Sequence, residues 1–190
     1  MEEKIIDYLL NLLKNKGSNI KYGNENVSQL AHALQCAELA EQKKLPKATI
    51  AAALLHDIGH LLYEDADPIY QDKDGHHEQL GADFLSKYFK DEVTIPIRAH
   101  VESKRYLSCI EKDYYNLLSK ASQKSLEVQG GPLTQEESKE FINKPFMREA
   151  VELRRLDDQA KKSNKETPNL DYFRNYLEEA QKNYNKERKK

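Results

Sequence analysis

The amino-acid sequence predicts an all-α protein, and three observations carry that expectation. Apolar residues recur three and four apart along most of the chain, which is the period of a helix with one buried face. No stretch carries the alternation of a half-buried strand. Residues that start or stop helices, among them Gly17, Pro46, Gly130, Gly131, Thr134 and Pro145, fall between the periodic segments. About eight helices follow from that pattern.

In the first segment, 5–13, Ile5, Ile6, Leu9, Leu10, Leu12 and Leu13 make one face, and Gly17 supplies a stop. A polar loop, 18–26, carries Tyr22 and Glu25. Segment 27–44 places Leu30, Ala33, Leu34, Ala37 and Ala40 in helical period, with His32 and Cys36 beside them one turn apart. Segment 48–62 is apolar nearly all round, as a helix in the middle of a bundle must be, and Pro46 sits near its start. The acidic stretch 64–75 is too polar to pack. His77 opens an amphipathic helix with Leu80, Phe84, Leu85 and Tyr88 inward. Segment 95–107, helical after Pro96, contains His100 and Lys104. Segment 111–128 reads as a helix ended by Gly130 and Gly131, and Thr134 with Glu137 forms a capping box for a short helix. Pro145 starts a helix with Arg154, Arg155, Asp157 and Asp158, and Pro168 precedes a last one with Tyr172, Tyr176, Leu177 and Ala180 in register. The expected organisation is a single domain over 1–190, with its motifs within about 22–161 and a C-terminal helix at 168–190.

Composition narrows the class of function. A net charge of -2 with 33% charged residues gives no sign of nucleic acid or a membrane surface as a partner. The basic run 186–190 is a solvated helix end. Cys36 and Cys109, far apart among apolar neighbours, read as buried thiols in a reducing compartment. The acidic N-terminus and the interruptions at Asp7 and Asn11 argue against a signal peptide or a spanning helix, so a soluble cytoplasmic protein is expected.

Segment 48–62 carries the chemistry, because it ends in His56, Asp57 and His60. An Asp and a His in a bundle core must be satisfied, either by each other or by a shared cation. The other histidines favour the cation. Of the six, His32, His56, His60, His77 and His100 fall on predicted helices or at the first residue of one, and Asp157 lies on a helix whose other face holds Phe146, Ala150 and Leu153. His32, His56, Asp57 and Asp157 would hold one metal and Asp57, His77 and His100 a second, bridged by Asp57. Mixed nitrogen and oxygen ligation with open positions suits iron or manganese better than a closed structural zinc. Three basic residues repeat one offset: His60 lies four after His56, Lys104 four after His100, and Arg154 three before Asp157. Each is one turn from a proposed ligand, and together they would line an anion pocket suited to phosphate or phosphonate. Taken singly, Arg154 reads as an intrahelical partner of Asp157 or Asp158, and Lys104 as a solvated charge. Ser122 and Ser125, ahead of the Gln129-Gly-Gly turn, would add hydrogen bonds to the anion.

The order His, His-Asp, His, His, Asp resembles the HD-domain superfamily of metal-dependent phosphohydrolases, in its dinuclear subset. More closely, a set of motifs in one order is similar to the HD-domain diiron oxygenases that act on phosphonates, relatives of myo-inositol oxygenase. The set is Tyr22-Gly-x-Glu25, Ser28-Gln-Leu-x-His32, His56-Asp-Ile-Gly-His60, His77-Glu-x-x-Gly-Ala82, His100-Val-x-x-Lys104-Arg-Tyr-Leu107, Gln129-Gly-Gly and Arg154-Arg-x-Asp157. The family pattern begins at His77, which sets His76 aside.

The resemblance implies an HD-type helical bundle with a mixed-valent Fe(II)/Fe(III) pair and O2 as co-substrate. It also implies cleavage of the C–P bond of a small 1-hydroxyphosphonate. With 2-amino-1-hydroxyethylphosphonate the products are glycine and phosphate. Catalytic and substrate-binding roles are implied for Tyr22, Glu25 and His60, the tyrosine leaving an iron position and the glutamate recognising the amine. Their plain alternatives are a packed loop ring and an acid favoured by a helix N-terminus. The competing expectation keeps the same ligands in a phosphohydrolase acting on a small phosphate ester or nucleotide. A helical binding module with a structural metal is a third reading.

Overall fold

The computed structural model describes residues 3–23, 25–62 and 76–182; the acidic stretch 64–75 and the basic run 186–190 lie outside them. Among the described residues the chain forms eleven α-helices and no strand. They are α1 (Glu3–Leu12), α2 (Gln29–Gln42), α3 (Lys47–Leu55), α4 (Gly59–Leu62), α5 (His77–Leu85), α6 (Asp91–Ile110), α7 (Tyr114–Leu117), α8 (Lys120–Val128), α9 (Gln135–Ile142), α10 (Met147–Gln159) and α11 (Arg174–Ala180). The protein is all-α, as its periodicity requires. No helix among the described residues is long and apolar enough to cross a membrane.

Helix α3 is the centre. Its side chains from Thr49 to Leu55 are all buried, and α2, α6, α10 and α11 pack around it. A helix with no polar face has no other stable position. Leu54, Leu55 and Ile58 from this centre join Ile6, Leu9, Leu85, Phe89, Ile97, Leu153, Leu156, Phe173 and Leu177 in one core. Two smaller clusters, around Phe141 and around Leu126, lie under the α7–α9 region.

The departures from sequence expectation have local causes. Segment 48–62 is not one helix. After Leu55 the backbone tightens, with Ile58 N–H donating to Leu55 O at 3.0 Å and His60 N–H to Asp57 O at 3.0 Å, before α4 begins. These three-residue closures turn the chain at His56–Asp57, so two adjacent side chains reach one centre instead of diverging around a helix. Segment 111–128 breaks at Leu118, whose ψ is 144°, because Ser119 caps α8 by accepting from Ser122 N–H at 3.2 Å. Helix α6 starts at Asp91, a turn before Pro96, with Asp91 and Glu92 at its positive end. Gly17 ends a π-turn, Leu13–Gly17, and is followed by Ser18 at φ -68°, so no left-handed cap is formed there. Gly130 and Gly131 do take left-handed conformations, φ 94° and 73°. At the C-terminus the inward ring is Phe173, fully buried in the Leu170–Phe173 turn, whereas Tyr172 is 52% exposed. Cys36 is buried but Cys109 only partly so, and both are free thiols.

One backbone contact fixes the centre. A Cβ on Gly59 would lie 2.0 Å from His77 O, and one on Gly81 would lie 3.2 Å from Gly59 N. Only two glycines let α4 approach α5 this closely, and the approach brings His77 to Asp57. Gly59→Ala is therefore expected to lower the unfolding free energy by at least about 2 kcal/mol, the scale of an overpacked core. Chemical denaturation measures it, and an unchanged midpoint would show that the contact is soft.

Candidate metal centre

Six side chains from the α2, α3, α5, α6 and α10 regions meet at the bundle centre. His32 comes from α2, His56 and Asp57 from the turn after α3, His77 from α5, His100 from α6 and Asp157 from α10, and all are buried. Asp57 lies between two groups. Its Oδ2 is 3.4 Å from His56 Nε2 and 3.8 Å from His32 Nε2, while its Oδ1 is 3.3 Å from His77 Nε2 and 3.6 Å from His100 Nε2. Asp157 Oδ1 closes the first group at 3.3 Å from His32 Nε2.

The imidazoles are oriented for a cation. His32 Nδ1 lies 2.9 Å from Ala160 O, His56 Nδ1 2.9 Å from Ala53 O, and His100 Nδ1 2.7 Å from Ile97 O. A carbonyl only accepts, so each Nδ1 carries the hydrogen and each Nε2 presents a bare lone pair. His32 and His56 then face one another Nε2 to Nε2 at 3.2 Å with a bare lone pair on each, and His77 and His100 approach Nε2 to Nε2 at 3.2 Å beside Asp57. Lone pairs at that separation repel unless a positive charge lies between them. Two buried groups, His32 with His56 and Asp57 with His77 and His100, have donor atoms close enough to hold metal ions; Cys36 Sγ, 3.7 Å from His32 Nε2, belongs to the first. The donor set fits a dinuclear site of mixed nitrogen and oxygen ligation.

The protonation preferences of His56, His100 and the two carboxylates agree with that fit, whereas at His32 burial is outweighed by Cys36 and Asp157, which raise it above the usual imidazole range. Burial holds His56 and His100 below the usual imidazole range, in their neutral, ligating form. Burial would raise Asp57, but His56, His77 and His60 outweigh it and keep the carboxylate ionised. Burial likewise opposes Asp157, and Arg154 and His32 override it.

The loop before α2 is closed by Tyr22 N–H to Val27 O and Gln29 N–H to Ile20 O, each 2.9 Å. It lays the Tyr22 ring on His32, with centroids 3.7 Å apart, and Tyr22 Oη donates to Asp157 Oδ1 at 2.6 Å. Burial first, then Asp157, keeps this phenol protonated. Glu25 follows in the same loop, with Oε1 buried and making no hydrogen bond among the described residues. His60 stacks on His77 on the opposite side, with centroids 3.9 Å apart.

Positive charge gathers beside the first group. Arg154 Nη1 pairs with Asp157 Oδ2 at 2.6 Å, its Nη2 pairs with Asp158, and its Nε reaches Tyr114 Oη at 3.3 Å. Both helical pairings open to Arg154 are therefore made. Lys104 is 2% exposed, so it is no solvated charge, and its Nζ donates to Ser125 Oγ at 2.6 Å. Burial and the nearby Arg154 push its pKa down to about 7.

The HD domain model matches residues 29–131. A hydroxymethylphosphonate dioxygenase of Gimesia maris is 43% identical over 172 residues, covering 90% of this chain and 85% of its own. The [1-hydroxy-2-(trimethylamino)ethyl]phosphonate dioxygenase (glycine-betaine-forming) of Leisingera caerulea is 38% identical over 170 residues, 89% of this chain and 86% of that one. An uncharacterized protein of Acanthamoeba polyphaga mimivirus is 36% identical over 185 residues, 94% and 84% respectively. The chain belongs to the HD-domain phosphonate dioxygenases.

Within this HD domain some residues at the centre escaped the sequence reading. Lys161 donates from Nζ to Ser122 Oγ at 2.9 Å and lies 5.4 Å from the Tyr22 ring centroid. It stands four residues after Asp157, the same offset as His60 from His56 and Lys104 from His100, and that signal was there to be read. Tyr114, which braces Arg154 together with the expected helical partner Asp158, and Glu78, 3.5 Å from His77 Nδ1, follow no such spacing.

The buried ammonium has a thermodynamic signature. The unfolded chain keeps the Lys104 proton up to its usual value near 10.5, whereas the folded chain gives it up at about 7. Between those values the unfolded state binds more protons, so this group's penalty on folding is largest near and below pH 7 and fades as pH rises. In metal-free protein Lys104→Met is expected to be more stable than wild type at pH 7, by a margin that narrows toward pH 10. Denaturation at the two pH values checks this, and a destabilised variant at pH 7 would contradict it.

Proposed function

We propose that this protein uses O2 to cleave the C–P bond of a small 1-hydroxyphosphonate. The carbon bearing phosphorus is oxidised to a carboxylic acid, dioxygen is reduced, and phosphate leaves: one 1-hydroxyphosphonate and one O2 give one acid and one phosphate. The observation that carries the reading is the single buried carboxylate, Asp57, shared by two imidazole pairs beside a cluster of cations. In this reading His32, His56, Asp57 and Asp157 hold one iron, and Asp57, His77 and His100 hold the other, as a mixed-valent Fe(II)/Fe(III) pair. The iron pair, when bound, supplies the one-electron chemistry by which dioxygen reacts with a closed-shell substrate.

The chain's own residues position and exclude. Lys104, Ser122 and His60 bind the phosphonate oxygens, and Arg154 lends charge to them while holding Asp157 by a 2.6 Å ion pair. Tyr22 covers His32 and occupies Asp157 Oδ1 until substrate arrives. The buried, unpartnered Glu25 Oε1 supports recognition of a primary ammonium, and hence 2-amino-1-hydroxyethylphosphonate as the substrate. Hydroxymethylphosphonate has no amine to offer that oxygen, and a trimethylated one would call for an aromatic box instead.

Protein reconstituted with iron without oxygen, then given O2 and each of the three phosphonates in turn, tests this. Glycine and phosphate in equal amounts, with matching oxygen uptake, are expected from the primary amine. Phosphate released from simple esters in the absence of O2 would replace the oxygenase with a hydrolase. His32→Ala and Asp157→Ala are expected to abolish turnover together with bound iron. A full complement of iron in either variant would remove that residue from the ligand set.

A further inference from the structure

We propose that Lys161 is a substrate-binding residue, and that Lys161 with Ser122 and Lys104 with Ser125 form two matching halves of one seat for a dianion. The inference rests on the phosphonate reading and extends it to a residue outside the motif set. Both halves have the same construction. Lys104 Nζ donates to Ser125 Oγ at 2.6 Å, Lys161 Nζ donates to Ser122 Oγ at 2.9 Å, and Ser125 Oγ itself donates to Ser122 O at 3.3 Å, so the serines lie side by side on one turn of α8.

The charges are unequal. Three cations converge, since Lys104 feels both Arg154 and Lys161, and Lys161 in turn acts on Asp157. Arg154 takes both nearby carboxylates, Asp157 and Asp158. Among the described residues, Lys104 and Lys161 are left with neutral hydroxyls as their hydrogen-bond partners. Two lysine nitrogens without a carboxylate as hydrogen-bond partner, one of them 2% exposed, suit a doubly ionised phosphonate or phosphate, whose charge would hold both as ammonium. Each ammonium has three donors and spends one on its serine, so donors remain for the anion's oxygens.

Lys161 is also held in place. Its Nζ lies over the Tyr22 ring, 5.4 Å from the centroid, and that ring is stacked on His32. The residue lies just beyond α10, which ends at Gln159, so Asp157 and the proposed phosphonate contact leave the same helix end. Dianion and metal are thereby kept adjacent.

The test uses the full chain loaded with iron and inorganic phosphate, the product of the proposed reaction, titrated by calorimetry. Lys161→Met is expected to weaken phosphate binding about tenfold, the loss of one charge-assisted hydrogen bond, and Lys161→Arg to recover it to within about threefold. Iron content is expected to stay at the wild-type level in both. Wild-type phosphate affinity in Lys161→Met would overturn the inference. If that variant loses iron or fails to fold, Lys161→Gln carries the test: weakened phosphate binding with iron retained supports the paired seat and wild-type affinity overturns it. A wild-type protein that binds no phosphate also overturns the seat, whereas the oxygenase reading falls separately, on the absence of O2-dependent phosphate release from any of the three phosphonates.

Discussion

The whole bundle answers to the cost of burying one carboxylate among four imidazoles. An ionised Asp57 at the centre of an apolar core would be untenable alone, since the desolvation penalty of an unpaired charge runs to several kcal/mol. His32, His56 and His100, fixed with their Nδ1 hydrogens turned outward to backbone carbonyls, relieve it only in part, because in that tautomer they present lone pairs to the same centre. Positive charge must come from elsewhere, and the inward arrangement of donors from α2, α3, α5, α6 and α10 has a physical rationale when cations bind there. The fold thus couples its core to its chemistry: the helix that is most apolar, α3, also delivers His56 and Asp57.

Around that centre the elements divide their tasks. The two glycines at the α4–α5 contact bring His77 to Asp57 through backbone proximity, with no side chain to adjust. The closed loop before α2 folds Tyr22 over His32 and Asp157 on one side, and His60 stacks on His77 on the other. The α7–α9 region contributes little to the main core, yet it supplies Tyr114 behind Arg154 and the serine pair in front of the lysines. Under the proposed function the inner helices α6 and α10 bring Lys104 and Arg154 to the anion, and the outer region adds the serines and the tyrosine that hold them.

Much of this was legible in the chain itself, because its signals are periodic. The apolar spacing of α1, α2, α5 and α10 and the all-round hydrophobicity of α3 carry the helical fold, and the capping box at Thr134 and Glu137 forms as its residues require. The ordered motifs point to the HD domain. What stayed hidden is of two kinds. Local closures, such as the tightened backbone at His56–Ile58 and the cap at Ser119, are decided by one or two hydrogen bonds and leave the hydrophobic period undisturbed. Long-range pairings are the other kind: Tyr114 with Arg154 depends on how helices cross, which no single segment encodes. Lys161 lies between the two kinds, since its offset from Asp157 is visible but its chain has already left the helix.

The end of α10 concentrates several duties in five residues. Asp157 faces His32, Asp158 braces Arg154, Ala160 receives the His32 Nδ1 hydrogen through its carbonyl, and Lys161 reaches Ser122. A single-residue insertion or deletion there would displace all four together. Such a lesion would leave the interior largely packed and the rest of the helix intact, while erasing a carboxylate, a tautomer and an ammonium in one stroke.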